Sequence, residues 1–266
     1  MPITTANGVR LYWELHGDHG APVVLVHGSW GDHHTWDGVA PELGRTFRVL
    51  TYDRRGHSQS ERPATQGNVD EDAADLAALV ETQHLAPAHI VGSSFGASIA
   101  LRLAVSRPDL VASLALHEPP LFGLLGNDPG LLDVQKRVEA VMELLQSGQT
   151  ELGAERFVET VALGPGMWGR FPPDLKRVFV FNASTWLDEM HDPDAFILDL
   201  GRLATFRQPV LLTQGDQSPP SFSPILEHVA AAIPHAYRHT FRGAGHVPQM
   251  THPADFVEVV GAFLRT

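Results

Sequence analysis

The sequence predicts an α/β fold: a doubly wound, mostly parallel eight-stranded sheet with helices on both faces and an all-helical segment inserted into it. Three observations support this. Short apolar runs such as Pro22-Val23-Val24-Leu25-Val26 recur and stop at turn residues, as strands buried on both faces do. Helical apolar periodicity fills the intervals between these runs. From Leu121 to about Phe206, the pattern is helical with no strand among it.

Taken in order, Asn7-Gly8 reads as a hairpin turn between a short first strand and a second over residues 9–16. Residues 22–28, 47–52 and 89–91 read as central strands, with helices over 33–43, 69–84 and 95–106 between and after them. A strand over 110–116 ends at His117-Glu118-Pro119-Pro120, where two prolines stop any continuation. Helical patterns then occupy 131–146, 151–162, 173–190 and 194–203, broken by Gly164-Pro165-Gly166 and other turn signals. A strand over 209–213, a helix over 224–233, a strand over 237–241 and a last amphipathic helix over 253–264 close the chain. The expected division is a core domain of residues 1–120 and 207–266 with a lid of residues 121–206.

At 266 residues, 43% apolar and 19% charged, the chain suits one large domain with an insertion rather than two full domains. The net charge of −12 repels phosphate backbones and anionic lipid surfaces, so neither nucleic acid nor membrane is an expected partner. Cysteine is absent, which excludes disulfides, thiolate catalysis and cysteine-ligated metal. The first residues lack the pattern of a signal peptide, and no apolar run approaches ~18 residues. A cytoplasmic protein, monomeric or homodimeric, acting on a small molecule is the expectation.

The chemistry centres on Gly92-Ser93-Ser94-Phe95-Gly96, which follows an apolar run and opens a helix. That is the layout of a nucleophile elbow. A serine on a sharp strand-to-helix turn takes strained backbone angles, and the residues two before and two after must be almost free of side chain. Only Ser94 satisfies this; were Ser93 the nucleophile, Val91 and Phe95 would occupy the crowded places. A serine hydroxyl needs a base. Of 15 histidines, His246 stands out in Gly243-Ala244-Gly245-His246-Val247-Pro248, a loop between the last strand and last helix that would project beside the elbow.

At these residues the chain resembles the α/β-hydrolase superfamily. His27-Gly28, Tyr52-Asp53-Arg54-Arg55-Gly56-His57-Ser58, the elbow and Gly245-His246 match in order over the whole length. The resemblance implies a carboxylate that orients the base, and two sites compete for it. Most of the family places the acid three residues after a glycine following the penultimate strand; here that position is Ser218, with Asp216 close by. A minority, including zearalenone-type lactonases, uses the end of the strand after the elbow helix, where Glu118 stands. The lactonase resemblance is the closer, and favours Glu118 with Asp216 as the alternative acid. The Phe95 N–H at the helix start is one oxyanion donor by construction, and the resemblance adds Ser29.

Trp30, Phe122 and Trp186 are expected to face an apolar substrate. Asp53 and His57 are expected to hold local structure, and His27 to make structural hydrogen bonds. His33-His34 is not expected to bind metal, since adjacent helical residues point about 100° apart and no carboxylate–histidine cluster at ligand spacing accompanies them. The expected activity is a serine hydrolase that cleaves an ester or lactone through an acyl-enzyme without metal or organic cofactor. C–C bond hydrolysis or cofactor-free perhydrolysis on the same triad, or a non-catalytic ligand receptor on the scaffold, are the alternatives.

Overall fold

A computed structural model describes residues 2–266. Strands β1 (Ile3–Ala6), β2 (Val9–His16), β3 (Pro22–Val26), β4 (Arg48–Tyr52), β5 (Ala88–Ser93), β6 (Val111–His117), β7 (Val210–Gly215) and β8 (Tyr237–Phe241) form one sheet in the order β1-β2-β4-β3-β5-β6-β7-β8. β1 and β2 pair antiparallel through the Asn7-Gly8 turn, whose two residues both take positive φ (50° and 81°), and β2 joins β4 antiparallel. From β4 to β8 every neighbouring pair is parallel, so the sheet is mixed, with its antiparallel part at one edge.

The chain enters helices α1 (Ala40–Leu43), α2 (Val69–Thr82) and α3 (Phe95–Ser106) between strands. Between β6 and β7 the described residues form helices and no strand: a 3-10 turn (Phe122–Leu125), α4 (Pro129–Gln146), α5 (Thr150–Phe157) continuing into a π turn (Val158–Ala162), α6 (Met167–Arg170), α7 (Pro173–His191) and α8 (Leu200–Leu203), with further short 3-10 turns elsewhere in the chain. Helices α9 (Phe222–Ala232), α10 (Pro248–Thr251) and α11 (Pro253–Phe263) follow.

Alternation along the strands sends successive side chains to opposite faces. Val24, Val26, Ile90, Leu114 and Leu212 pack with Leu76 of α2, Ile99 of α3 and Ile225 of α9. Val23, Leu25, Val91, Ala115 and Leu211 pack instead with Leu43 of α1 and Phe256 and Val260 of α11. A third apolar cluster joins the helical insertion to Trp30 from the loop after β3. No helix among the described residues is long and apolar enough to cross a membrane.

Two expected helices are shorter than the periodicity implies. Residues 33–43 split into a 3-10 turn (His33–Trp36) and α1. Gly38 lies between them, and a Cβ there would stand 3.0 Å from Pro253 Cβ, so the close approach of α11 shapes the break. Of residues 194–203, only α8 is helical. The Arg102 guanidinium takes the carbonyls of Asp194 and Ile197, and Asp192 accepts from the N–H groups of Val69 and Asp194. The two long-range bonds from Arg102 claim carbonyls that a helix would use.

Candidate active site

Ser94 sits at the carboxyl end of β5 with φ 55° and ψ −126°, strained for any residue but glycine. Its N–H donates to the His117 carbonyl at 2.8 Å. A Cβ on Gly92 would fall 2.5 Å from the Gly96 carbonyl oxygen, and one on Gly96 2.2 Å from that of Val26. The crowding at the elbow thus comes partly from its own two ends and partly from β3.

The loop after β8 brings His246 Nε2 to 2.9 Å from Ser94 Oγ. The other ring nitrogen, Nδ1, lies 2.6 Å from Glu118 Oε2. Because a carboxylate only accepts, Nδ1 carries the proton and Nε2 presents a lone pair to the serine hydroxyl. Phe222 stacks on the imidazole, centroids 4.3 Å apart and planes 17° from parallel. Glu118 is fully buried just beyond β6 with φ 45°, and its Oε1 accepts the Gly215 N–H at 2.8 Å. Burial opposes its ionisation, but the contacts from His117 and His246 prevail and hold the carboxyl well below the usual carboxylate range.

Asp216, the alternative acid, is exposed and accepts the Gly243 N–H at 2.8 Å, which is the work of a turn aspartate. Ser218 Oγ has no hydrogen-bond partner among the described residues. Of the two carboxylates, the structure brings only Glu118 to the imidazole.

On the opposite side of Ser94 the loop after β3 passes so close that a Cβ on Gly28 would stand 2.9 Å from Ser94 Cβ. The Ser29 N–H donates to no protein acceptor among the described residues, and the Phe95 N–H opens α3, where helix geometry supplies no partner. Beneath the loop, His27 Nδ1 donates to Gly28 O at 2.8 Å and Nε2 accepts the Arg54 N–H at 3.0 Å. Burial, then the Arg54 charge, pushes the His27 imidazole down to about 3, so it stays neutral. Asp53 accepts from His33 Nδ1 at 2.6 Å and from the His33 and Gln59 N–H groups, and His57 bonds Arg55 O and Thr185. All three residues are tied into the scaffold.

Ser94, Ser29 and His246 open into a cavity of about 1230 Å³ whose walls include Phe122, Phe157 and Trp186. Trp30 corrects the expectation that it faces the substrate. It is fully buried at φ 67°, stacked on Phe157 at 4.8 Å and against Trp186 at 5.4 Å, because the helical insertion closes over it.

Two groups place possible metal ligands within 4.8 Å of one another: Asp32, His33 and His34, which corrects the expectation that the two histidines diverge with no carboxylate beside them, and His117, Glu118 and His246. Within the first, Asp32 accepts the His34 N–H and the Ser58 hydroxyl, His33 bonds Asp53, and His34 faces Asp37. The second is the hydrogen-bonded Glu118–His246 pair with His117, whose Nδ1 meets Thr213 Oγ1 at 3.0 Å and whose Nε2 stands 3.5 Å from Glu118 Oε2.

Sequence reasoning missed His117 and a buried polar cluster behind Ser29. There, Glu189 of α7 accepts from Ser29 Oγ at 2.5 Å and from Arg54, which also grips Asp72. Burial pushes the Glu189 carboxyl up to about 7 against the opposing pull of Arg54 and Ser29.

A sheet of this order, with a serine on the β5–α3 elbow and a histidine from the loop after the last strand, defines the α/β-hydrolase class. Residues 21–253 match the family model described as alpha/beta hydrolase fold, and the chain belongs to that family. It is 28% identical over 97% of its length to a 2-hydroxymuconate semialdehyde hydrolase from Pseudomonas sp. (strain CF600), of which it covers 92%. A dihydrolipoyllysine-residue acetyltransferase component of an acetoin cleaving system from Pseudomonas putida is 39% identical over 41% of this chain, and the match spans 30% of that protein's length. The crystal structure of the enol-lactonase from Burkholderia xenovorans LB400 shares the fold over 100% of both chains, with TM-score 0.80 and 22% identity.

Proposed function

We propose that this protein is a serine hydrolase that cleaves a carboxylic ester or lactone bond of a small, largely apolar substrate through an acyl-enzyme. The observation behind this reading is the imidazole of His246, 2.9 Å from Ser94 Oγ on one side and 2.6 Å from the buried Glu118 carboxylate on the other. As Ser94 Oγ attacks the carbonyl carbon, His246 Nε2 takes its proton, and the Glu118 carboxylate steadies the imidazolium that forms. The carbonyl oxygen, now negative, is received by the Ser29 and Phe95 N–H groups. The imidazolium then protonates the leaving oxygen as the carbon–oxygen bond breaks. Water, deprotonated by the same Nε2, attacks the acyl carbon, and the acid is released with Ser94 restored.

Residues 121–206 serve as the lid over a core of residues 1–120 and 207–266, and Phe122 and Trp186 contribute to an apolar substrate wall. The cavity of about 1230 Å³ admits a substrate larger than a simple acetate ester. The near full-length relation to a 2-hydroxymuconate semialdehyde hydrolase favours C–C bond hydrolysis as the second reading. The test is labelling of Ser94 by a fluorophosphonate, followed by turnover of p-nitrophenyl ester, lactone and 2-hydroxymuconate semialdehyde panels. Ester or lactone turnover lost in Ser94→Ala supports the first reading. Exclusive cleavage of the semialdehyde supports the second, and tight ligand binding without labelling or turnover would leave a receptor.

A further inference from the structure

We infer that Asn182 and Glu189, both on α7 of the helical insertion, are positioning residues for the oxyanion loop: they hold residues 28–31 so that the Ser29 N–H meets the developing negative charge. The inference rests on the reading of Ser94 as the acylated nucleophile.

The two residues are seven apart, two helical turns, and so share one face of α7. Asn182 is fully buried and Glu189 is 5% exposed. Their face is turned from solvent and meets the loop, with Trp186 between them packed against Trp30 at 5.4 Å. Glu189 Oε2 accepts the Ser29 hydroxyl at 2.5 Å, while its Oε1 accepts Arg54 Nη1 at 3.0 Å and Nη2 at 3.1 Å. The same guanidinium is anchored on Asp72 of α2, reaches Gly28 O at 3.4 Å, and lies 4.8 Å over the ring of Phe95. Arg54 therefore touches residues on both sides of the oxyanion site. Two turns earlier, Asn182 Nδ2 donates to Gly31 O at 2.9 Å and Trp30 O at 3.2 Å, and its Oδ1 accepts the Ser58 N–H at 2.8 Å.

The loop needs such an external hold. Trp30 takes φ 67°, a conformation that bulky residues rarely adopt unless their surroundings impose it. An oxyanion donor acts only when preorganised, and misplacing a reacting group by about 1 Å costs roughly 100-fold. Packing alone gives no reason for a carboxylate at this place, since a buried ion pair contributes little net stability against an apolar residue of similar volume. The helical insertion thus reaches past the substrate to the machinery beneath it.

The experiment begins with the wild type, which must be phosphonylated at Ser94 and must hydrolyse a p-nitrophenyl ester; failure at this stage sinks the hydrolase reading itself. Glu189→Leu is then expected to lower kcat roughly 10- to 100-fold with KM within about 3-fold. Affinity for a trifluoromethyl ketone, whose serine adduct places an oxyanion between the two N–H groups, should fall in the same proportion. Glu189→Gln, which keeps the outline and can place its carbonyl oxygen on Arg54 and its NH2 as a donor to Ser29 Oγ, should recover most of the rate. The double variant Ser29→Ala/Glu189→Leu should be no slower than Glu189→Leu, because the hydroxyl acts through the carboxylate. Val141→Ala, in the apolar core of the insertion, should lower Tm while leaving kcat unchanged. An unchanged kcat in Glu189→Leu, a loss confined to KM, multiplicative effects in the double variant, or an equal kcat loss in Val141→Ala would overturn the inference. Should Glu189→Leu fail to fold, Ser29→Ala decides: its kcat and ketone affinity must fall together, by roughly 3- to 10-fold, or the inference is lost.

Discussion

Glu118→Gln tests the candidate triad at its acid, the member for which the sequence offers two sites. The Gly215 N–H, 2.8 Å from Glu118 Oε1, is the element that makes the outcome calculable. In the variant the amide oxygen must stay on Gly215, because turning the NH2 group towards that buried donor would leave two donors facing each other, at a cost of about 1–3 kcal/mol. The NH2 group therefore faces His246 Nδ1, which has to become an acceptor, and the imidazole proton moves to Nε2, opposite Ser94. Tautomer trapping alone withholds the base by roughly 5- to 150-fold. Loss of the charge that stabilises the imidazolium adds the remainder, and a carboxylate-to-amide change of this kind costs about 10⁴ in kcat, or about 5.4 kcal/mol of barrier. Steady-state hydrolysis of a p-nitrophenyl ester and the rate of fluorophosphonate labelling both report it, with Tm measured alongside. Asp216→Ala in the same assays should stay within a few-fold of wild type, since it removes one turn contact at the surface. If Glu118→Gln retained activity within 10-fold, or Asp216→Ala proved the more damaging, the acid assignment would be wrong.

Ser94→Ala and His246→Ala should each lose roughly 10⁴ to 10⁶ in kcat, and the double variant should lose little more, because the members act as a unit; independent effects in the same ester assay would refute that. Gly28→Ala should fold and bind substrate yet turn over at least ~10-fold more slowly, because its methyl would stand 2.9 Å from Ser94 Cβ and must push the oxyanion loop away; unaltered kcat would show that the loop has room to spare. Stability should decline on acidification from neutrality. His27 is held down to about 3 in the fold by burial and then by the Arg54 charge, against an ordinary 6.5, so between those values the unfolded chain binds the extra proton. Its contribution is whole above pH 6.5 and shrinks by about 1.4 kcal/mol per pH unit below it. The unfolding free energy from urea titrations should fall more steeply between pH 6.5 and pH 4 in the wild type than in His27→Gln, by about that difference in slope, with the other titrating groups common to both; identical slopes would refute the assignment.

What the sequence disclosed and what it concealed divide along a physical line. The elbow at Ser94 is local: its glycines answer to crowding within a few residues, so their spacing survives in the linear order. The strands are legible for the same reason, since Val23 and Val24 face opposite layers by the pleat alone. Trp30 and residues 194–203 were misjudged because partners far along the chain decide them, Phe157 and Trp186 for the one and Arg102 for the other. α7 shows why pattern alone fails at the site. Asn182, Thr185 and Glu189 recur at the spacing of a polar helix face, and periodicity reads such a face as solvent-facing, because it counts polarity and not what lies opposite. All three are buried against the loops after β3 and β4. Amphipathic spacing identifies two unlike sides of a helix, and only the partner surface determines which of them carries function. On this helix the polar residues meet the loops while Trp186 among them lines the cavity, so a segment of otherwise ordinary helical periodicity is tied to a serine 160 residues away in sequence.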